Sequence, residues 1–486
     1  MLSTLLGILV YGFPPSLPLN ELQTDQKNRP NIVLIFCDDL GYGDIGPFGA
    51  RDIRTPNLDI LAKKGRTFTN FHVAQPVCSA SRAAILTGCY PNRIGIHGAL
   101  GPQARHGINS NETTLAELLK TAGYKTAAVG KWHLGHRAPF LPTRHGFDSY
   151  FGLPYSNDMW PHHPEAKKGT YPKLPLIRDE KVINDDVSPK DQAQLTSQYT
   201  AESVQFVENS AKAGKPFFLY LAHSMPHVPL FAGPKFAGKS KIGVYGDVIE
   251  EIDDSLGQIV SALEKNKILE NTWIVFTSDN GPWLGYGDHA GKAGIFREGK
   301  GTCFEGGVRV PCIMSWPGKF EPGTRSDANF MTIDLLPTIA TRLEISRKGP
   351  PLDGVDVWDW IQGKPGSKNT HEGYAFYYLD NQLQAVSTAD GRYKLQLPHN
   401  YQTLGGRPGG KDGIPARYEQ KRIVRPELFD LEQNPSEDKN VAGTNPDIVV
   451  RLLSFAEKCR GDMGDSLSKT IGKGIRPAGN DSQSGK

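Results

Sequence analysis

The chain has few cysteines, and they show no pattern that would bind zinc or catalyse thiol exchange. Its 486 residues include six cysteines, at positions 37, 78, 89, 303, 312 and 459. None of them belongs to a C-x-x-C pair, so we expect neither a cysteine zinc site nor a thioredoxin-like centre. A disulfide framework is also not expected, because a chain of this length does not need covalent cross-links to stabilise its core.

The chain also lacks a large excess of charge of one sign. It carries 55 Lys and Arg residues against 52 Asp and Glu residues, a formal net charge of +3. So small an excess indicates neither a nucleic-acid partner nor a membrane-binding patch. The content of 38% apolar and 22% charged residues is typical of a soluble globular protein, with enough length for a large and a smaller domain.

Long apolar runs are missing except at the start, where Met1–Phe13 is free of charge. This run is too short to span a bilayer but suits the apolar region of a signal peptide. We therefore predict a signal peptide and leader in residues 1–28, no stable membrane insertion, and export to a periplasmic, secreted or lysosome-like location. The alternative is an untargeted terminus, because no Lys or Arg precedes the run and no A-x-A-like site follows it.

Over residues 29–370, buried strands alternate with helices. The predicted strands are Asn31–Cys37, Thr126–Val129, Phe217–Ala222 and Trp273–Thr277, and the clearest helices are Thr114–Gly123 and Gly246–Asn266. This alternation predicts an α/β domain with a largely parallel sheet covered on both faces.

After residue 370 the pattern changes to short strands and a late helix. The strands are Tyr374–Tyr378, Gln384–Ser387 and Tyr393–Leu397, and the helix is Ile448–Lys458. Residues 371–478 are therefore predicted to form a smaller α+β domain with an antiparallel sheet, followed by a disordered tail over residues 479–486.

Polar residues follow each of the four long strands of the large domain. Asp38-Asp39, Lys131 to His133, His223 with His227, and Asp279-Asn280 come after successive strands. Each has an ordinary explanation as a cap or loop residue, but ligands of α/β sheets bind at the carboxyl ends of the strands. Four such groups at one edge therefore predict a site.

The three aspartates at that edge require a cation, because like charges so close together disfavour ionisation. Carboxylate and amide oxygens suit a hard ion, Ca2+ or Mg2+. Lysines and histidines beside such an ion indicate an anionic substrate. The residues thus predict metal-assisted hydrolysis of a phosphate or sulfate ester, without choosing between the two.

The segment Cys78–Gly88 reads CSASRAAILTG. A buried structural cysteine is the commoner role of such a residue, but that role does not explain its neighbours. The segment resembles the signature C-x-[P/A]-S-R-x-x-x-[L/M]-T-G of the formylglycine-dependent sulfatases. The resemblance runs from Asn31 to about Leu467, and further motifs typical of the family follow in order: Asp38–Asp44, Thr55–Asp59, Gly130–Gly135, Pro226–Pro229, Ser278–Gly281, Gly299–Pro311 and LFDLEQNPSE near Leu428.

The resemblance implies an alkaline-phosphatase-like large domain with a mostly parallel mixed sheet, whose cleft the C-terminal domain completes. It implies that Cys78 is oxidised to formylglycine, whose hydrate attacks sulfur and whose second hydroxyl later expels sulfate. Calcium, or else magnesium, would be held by residue 78 together with Asp38, Asp39, Asp279 and Asn280.

The other roles carry over position by position. Arg82 would stabilise modified residue 78, Lys131 and Lys300 would neutralise sulfate oxygens, and His133 would assist sulfate elimination. His227 would act as the general acid at the leaving oxygen, a task that Lys300 could share. Further residues are predicted to line the substrate pocket or else to pack in the fold: Trp160, His162, His163, Trp283 and His289.

The third position of the signature is Ala80, where proline is commonest. Radical-type maturating enzymes accept alanine, so the partners expected are such an enzyme or a formylglycine-generating enzyme. Two alternatives stay open: a phosphate mono- or diester hydrolase on the same fold, and an unmatured pseudo-enzyme that binds sulfated glycans. The family members most similar in pattern are arylsulfatases and N-acetylgalactosamine sulfatases, which leaves a sulfated carbohydrate or an aryl sulfate as substrate. The sequence assigns no oligomeric state.

Overall fold

The computed structural model describes residues 29–481, and a ten-stranded mixed sheet forms the centre of the large domain. From one edge to the other the strands are β12 (Thr324–Ser326), β2 (Arg66–Phe68), β11 (Cys312–Ser315), β10 (Thr272–Ser278), β1 (Asn31–Cys37), β9 (Phe217–Ala222), β5 (Lys125–Gly130), β6 (Ser149–Gly152), β7 (Leu176–Arg178) and β8 (Lys181–Asn184). Two-stranded ladders join β3 (Phe71–His72) to β13 (Phe330–Met331) and β4 (His106–Gly107) to β20 (Gly479–Asn480).

Helices cover both faces of this sheet. The helices of the large domain are α1 (Pro56–Lys64), α2 (Cys78–Thr87), α3 (Leu115–Thr121), α4 (Pro189–Lys212), α5 (Val244–Lys265), α6 (Glu305–Val308), α7 (Leu335–Arg342) and α8 (Trp358–Ile361). A last helix, α9 (Pro446–Met463), packs against strands of the C-terminal region instead. Helix α3 begins with a capping box, in which the Thr114 hydroxyl accepts a hydrogen bond from the Glu117 N–H at 3.1 Å.

The five central strands β10, β1, β9, β5 and β6 are parallel to one another. Side chains along β1 alternate between two cores: Ile32 and Phe36 pack in one, Val33 and Ile35 in the other. Every residue of β1, β9 and β10 is buried. The predicted α/β fold, with a largely parallel sheet covered on both faces, is confirmed.

The C-terminal region forms the predicted antiparallel sheet. Its strands are β14 (Gly373–Tyr378), β15 (Gln382–Thr388), β16 (Tyr393–Gln396) and β19 (Glu427–Asp430), and a separate hairpin joins β17 (His399–Thr403) to β18 (Glu419–Ile423). Leu452 and Ala456 of α9 share a core cluster with residues of the large domain. The domain boundary at residue 370 stays a prediction.

The prediction of a disordered tail is wrong for its first residues. Gly479 and Asn480 pair with Gly107 and His106, since backbone hydrogen bonding to β4 orders them. The rest of the predicted tail, residues 482–486, and the predicted signal peptide and leader lie outside the described residues. Among residues 29–481, no helix has the length and apolar content needed to cross a membrane.

Candidate active site

The carboxyl ends of the central strands bring the predicted residues together. Cys37, the last residue of β1, pairs with Ser278 at the end of β10, and Ala222 of β9 pairs with Gly130 of β5. The chain therefore leaves four neighbouring strands at one level, and the residues that follow are Asp38-Asp39, Asp279-Asn280, His223 and Lys131.

Two of these residues have an unusual backbone conformation. Asp39 has φ 63° and His133 has φ 60°, both in the left-handed region. Non-glycine residues adopt this region rarely, and such strain is concentrated at functional sites.

Cys78 lies at the centre of the cluster, as the first residue of α2, and is 2% exposed. Its Sγ atom lies 3.4 Å from Asp38 Oδ1 and 3.4 Å from Lys300 Nζ. Burial raises the pKa of this thiol strongly, Asp38 raises it further, and Lys131 and Lys300 offset only part of the increase. Unmodified Cys78 is therefore a neutral thiol at physiological pH, which is a weak nucleophile.

Arg82 lies one turn along α2 and is fully buried. Its Nε and Nη2 atoms donate to Asp279 Oδ2 at 3.2 and 2.9 Å, and Nη2 lies 3.2 Å from Asp38 Oδ2. Its Nη1 atom donates to the Lys131 carbonyl at 2.8 Å. Although burial lowers the pKa of Arg82, the two aspartates raise it overall. Arg82 thus fixes the strand-end carboxylates relative to the helix that carries Cys78.

Two lysines complete the cationic half of the cluster. Lys131 is fully buried, forms an ion pair with Asp38, and donates to Ser156 Oγ at 3.0 Å. Lys300 Nζ lies 2.8 and 2.9 Å from the two Asp39 carboxylate oxygens. It also lies 4.4 Å from the centre of the Trp283 ring, a cation–π contact.

Two of the aspartates, Asp38 and Asp279, experience opposite electrostatic effects. Burial raises the pKa of Asp38, but Lys131 and Arg82 lower it more strongly, so its pKa is well below the usual range. Burial and the charge of Asp38 raise the pKa of Asp279 to about 7. Asp279 therefore lacks sufficient positive charge around it, which is the condition that a metal ion would relieve.

The donor atoms fit a hard cation. One donor atom from each of Asp38, Asp39, Cys78 and His227 lies within 4.8 Å of the others. Asn280 Nδ2 donates to Asp39 Oδ1 at 2.7 Å, while Asn280 Oδ1 is buried without a hydrogen-bond partner among the described residues. Asp279 is outside this group, and its Oδ1 atom accepts a hydrogen bond from the Asp39 N–H at 3.1 Å. Aspartate carboxylates beside a buried amide oxygen are ligands that calcium and magnesium prefer.

The two predicted catalytic histidines differ in how they are held. The His227 Nδ1–H donates to the Val228 carbonyl at 2.5 Å, which directs Nε2 to within 3.6 Å of Asp39 Oδ2. Both ring nitrogens of His133 are buried without a partner in residues 29–481. Burial, together with Lys131 and Arg82, lowers the pKa of His133 well below its usual value.

A cavity of about 480 Å³ opens above Cys78. The predicted residues Cys78, His133, His227, Trp283 and Lys300 line it. The remaining polar and aromatic residues of the lining were not predicted from the sequence: Ser156, Asp158, Glu165, Tyr378, Gln402, Arg417 and Tyr418. The last four come from the C-terminal region, which thus completes the cleft as expected, but no motif marked these residues individually.

The structure does not bring His289 to this cavity. The ring lies beside Gly413 of a neighbouring loop, so close that a methyl group at Gly413 would be 3.3 Å from His289 Nδ1. His289 is absent from the cavity lining. Trp160, His162 and His163 are also absent from the lining, and Trp160 packs against His162 with ring centres 4.8 Å apart. Their loop contributes Asp158 and Glu165 instead.

A buried carboxylate cluster beside two lysines, under an open cavity, defines a hydrolase site for an anionic ester. Comparisons with known proteins identify the ester. The sequence model of the sulfatase family matches residues 30–345, so the chain belongs to the sulfatase family, whose members hydrolyse sulfate esters.

Two relatives and one solved structure extend the match over most of the chain. Arylsulfatase A of Bos taurus is 37% identical over 449 residues, covering 88% of this chain and 86% of the relative. N-acetylgalactosamine-6-sulfatase of Homo sapiens is 41% identical over 388 residues, covering 76% and 71%. The PsFucS1 sulfatase from Pseudoalteromonas sp. superimposes with a TM-score of 0.80 at 28% identity, covering 90% and 91%. The chain is therefore a sulfate ester hydrolase.

Proposed function

We propose that this sulfatase acts through formylglycine made from Cys78 and a calcium ion held beside it. The observation that carries the proposal is the position of Cys78 Sγ, 3.4 Å from both Asp38 Oδ1 and Lys300 Nζ at the base of the cavity. An oxygen replacing this sulfur would face the carboxylate cluster on one side and the substrate space on the other.

The proposed metal ligands are Asp38, Asp39, Asp279, Asn280 and the oxygen on residue 78. Calcium, or magnesium as the alternative, would polarise that oxygen and neutralise sulfate charge, while the hydrated aldehyde would supply the nucleophile. Arg82 keeps Asp38 and Asp279 in register, since its guanidinium contacts both carboxylates.

The lysines account for the binding of sulfate. Lys300 lines the cavity and approaches Cys78 Sγ, so its ammonium can contact a sulfate oxygen as charge develops there. Lys131 lies deeper, between Asp38 and Ser156, and supplies positive charge beneath the same point.

The histidines account for proton transfer. His227 lines the cavity next to Trp283 and is assigned the proton delivered to the leaving alcohol oxygen. Burial and Lys300 lower the pKa of this imidazole, and Asp39, 3.6 Å from Nε2, opposes them by favouring the protonated ring. His133 is assigned the removal of the proton that accompanies sulfate release, because its lowered pKa keeps the imidazole neutral and able to accept a proton.

For substrate we propose a sulfated carbohydrate, with aryl sulfates as simpler substrates of the same site. The relatives are an arylsulfatase and an N-acetylgalactosamine-6-sulfatase by name. The cavity offers Trp283, Tyr378 and Tyr418 as flat apolar surfaces, with Asp158 and Gln402 as groups able to form hydrogen bonds with hydroxyls.

We also propose that the protein is exported and that a separate enzyme converts Cys78 to formylglycine. Ala80 at the third position of the signature favours a radical-type maturating enzyme.

The test compares 4-nitrophenyl sulfate with 4-nitrophenyl phosphate as substrates of protein produced together with a maturating enzyme. We expect sulfate turnover that depends on maturation and on calcium, with phosphate turnover at least ~10²-fold slower. Faster turnover of the phosphate would establish the phosphate-ester alternative. Tight binding of sulfated oligosaccharides without turnover of either ester would establish the pseudo-enzyme.

A further inference from the structure

The segment of residues 300–305, which carries Lys300, is held at its backbone by side chains from the C-terminal region. Gln402 Nε2 donates to the Lys300 carbonyl at 3.3 Å. Gln396 Nε2 donates to the Cys303 carbonyl at 3.1 Å. These contacts act on the main chain of the segment, so they set its position and do not depend on its side chains.

Glu437 makes a third contact with the same segment. Its Oε2 atom accepts a hydrogen bond from the Glu305 N–H at 2.6 Å, and its Oε1 atom accepts one from Gln396 Nε2 at 3.1 Å. Glu437 is fully buried and has φ 51°, and its own carbonyl accepts a hydrogen bond from Arg297 Nη1 at 2.8 Å. Glu437 is therefore fixed from both its backbone and its side chain.

Charge holds this arrangement together. The Lys394 ammonium, fully buried, donates to Glu305 Oε1 at 2.7 Å and lies 3.9 Å from Glu437 Oε1. His72 Nε2 and Arg309 Nη1 each lie 3.1 Å from Glu305 Oε2. Buried charges that are paired and hydrogen-bonded resist displacement, because moving one of them leaves its partner unpaired in a low-dielectric interior.

The same segment places the Lys300 ammonium 2.9 Å from Asp39 Oδ2 and 3.4 Å from Cys78 Sγ. Displacing a catalytic group by about 1 Å lowers rates strongly, up to roughly 10²-fold. Neither Glu437 nor Lys394 lines the cavity. Any effect of Glu437 on the reaction is therefore indirect, and its hydrogen bond to the Glu305 N–H connects it to the segment.

We infer that Glu437 is a positioning residue for sulfate ester hydrolysis, which acts by holding the backbone of residues 300–305 so that Lys300 stays in contact with residue 78. The inference rests on the proposed role of Lys300 at the sulfate. It gives the C-terminal region a part in the chemical step in addition to its contribution to the cavity wall.

A double-mutant cycle tests the inference in full-length, matured protein. Glu437→Gln keeps the shape of the side chain but weakens its hydrogen bond with the Glu305 N–H. We expect roughly tenfold lower kcat on 4-nitrophenyl sulfate with KM changed less than about threefold. In a Lys300→Ala background, followed at high enzyme concentration, the same substitution should change kcat by less than about twofold, because the group it positions is gone.

Glu432→Gln is the matched control, since Glu432 is 63% exposed in the same region and should leave kcat within about twofold. If Glu437→Gln lacks a cooperative melting transition, Gln396→Met replaces it in the cycle, since Gln396 contacts both the Cys303 carbonyl and Glu437 and does not line the cavity. The positioning role would be overturned if the substitution lowered kcat equally in the wild-type and Lys300→Ala backgrounds. It would also be overturned if the substitution left kcat unchanged in an active wild-type background. A matured wild type without sulfatase activity would instead overturn the proposed function.

Discussion

The segment of residues 300–305 belongs to two buried charge clusters, the active site through Lys300 and a second cluster through Glu305, and the two differ in how completely their polar atoms are paired. In the support cluster, defined by Glu305, Lys394 and Glu437, all four carboxylate oxygens accept at least one hydrogen bond. In the active site, Asn280 Oδ1 and both ring nitrogens of His133 have no partner in the described part of the chain.

The difference separates a structural use of buried charge from a catalytic one. A fully paired network specifies one packing and has no open position for a ligand. The active site instead keeps Asp279 short of positive charge and leaves oxygen and nitrogen atoms open, which is unfavourable for folding but leaves room for a metal and a substrate. Substitutions in the two clusters should therefore affect different properties.

Asp279→Asn should have the largest effect on activity and little effect on the stability of the metal-free protein. Removing one carboxylate from the cation site should lower kcat/KM at least ~10³-fold and abolish stoichiometric calcium binding. Because burial and Asp38 disfavour the ionised form of Asp279, the melting temperature without metal should not fall. Calorimetric calcium titration and thermal melting check both statements, and unchanged calcium affinity would exclude Asp279 as a ligand.

Lys394→Met should show the opposite pattern, with its main effect on the free energy of unfolding. It leaves Glu305 and Glu437 buried without their shared cation, which should cost about 3–5 kcal/mol of unfolding free energy. Urea unfolding measures the loss. Lys421→Met, in an exposed pair with Glu419, serves as the control and should cost less than about 1 kcal/mol. Similar values for the two variants would remove the distinction between the clusters.

His227→Gln should lower turnover in a way that depends on the leaving group. An alkyl or sugar sulfate needs a proton at the leaving oxygen, so kcat should fall ~10²-fold, whereas 4-nitrophenyl sulfate should lose less than about tenfold. His289→Gln is the matched control, since this ring is outside the cavity lining and should change neither rate more than about twofold. Equal losses on both substrates would rule out the general-acid role.

The smallest of these expected effects is that of Glu437→Gln on the pH dependence of stability. Burial raises the pKa of Glu437 to about 7, although Lys394 opposes this. At pH values between the pKa of Glu437 in the unfolded chain and about 7, the unfolded state has lost a proton that the folded state keeps. The stability of the wild type therefore falls as the pH rises through this range. Glutamine does not titrate, and the difference in unfolding free energy should move in favour of the variant by on the order of 1 kcal/mol from pH 5 to pH 8. Urea unfolding of both proteins at the two pH values measures this difference. If Glu437 stays ionised throughout, the difference should be the same at pH 5 and pH 8.

The part of the site that follows the strands could be predicted from the sequence. Parallel strands end at a common edge whatever the loops between them do, so Asp38, Lys131 and Asp279 had to meet. Cys78 was found through its neighbours in the CSASRAAILTG motif. The predicted bounds of β1 and β9 match the structure because both strands are continuous apolar runs.

The rest depends on packing between distant segments and leaves no local pattern. Gln402 and Tyr418 reach the cavity only because the β17–β18 hairpin folds over it, and polar loop residues elsewhere look the same in sequence. Trp283 and His289 are six positions apart in one loop, yet only Trp283 lines the cavity. Lys394 and Glu305 pair across 89 positions, a contact that no periodicity predicts.

The most direct test of the proposed chemistry is the mass of the peptide that contains residue 78, measured beside the sulfatase rate of the same preparation. Conversion of Cys78 to formylglycine lowers the peptide mass by about 18 Da. Across preparations made with increasing amounts of a maturating enzyme, we expect kcat to rise in proportion to the converted fraction and to extrapolate to zero at none. Full sulfate ester turnover by protein whose residue 78 is entirely unmodified thiol would contradict the account.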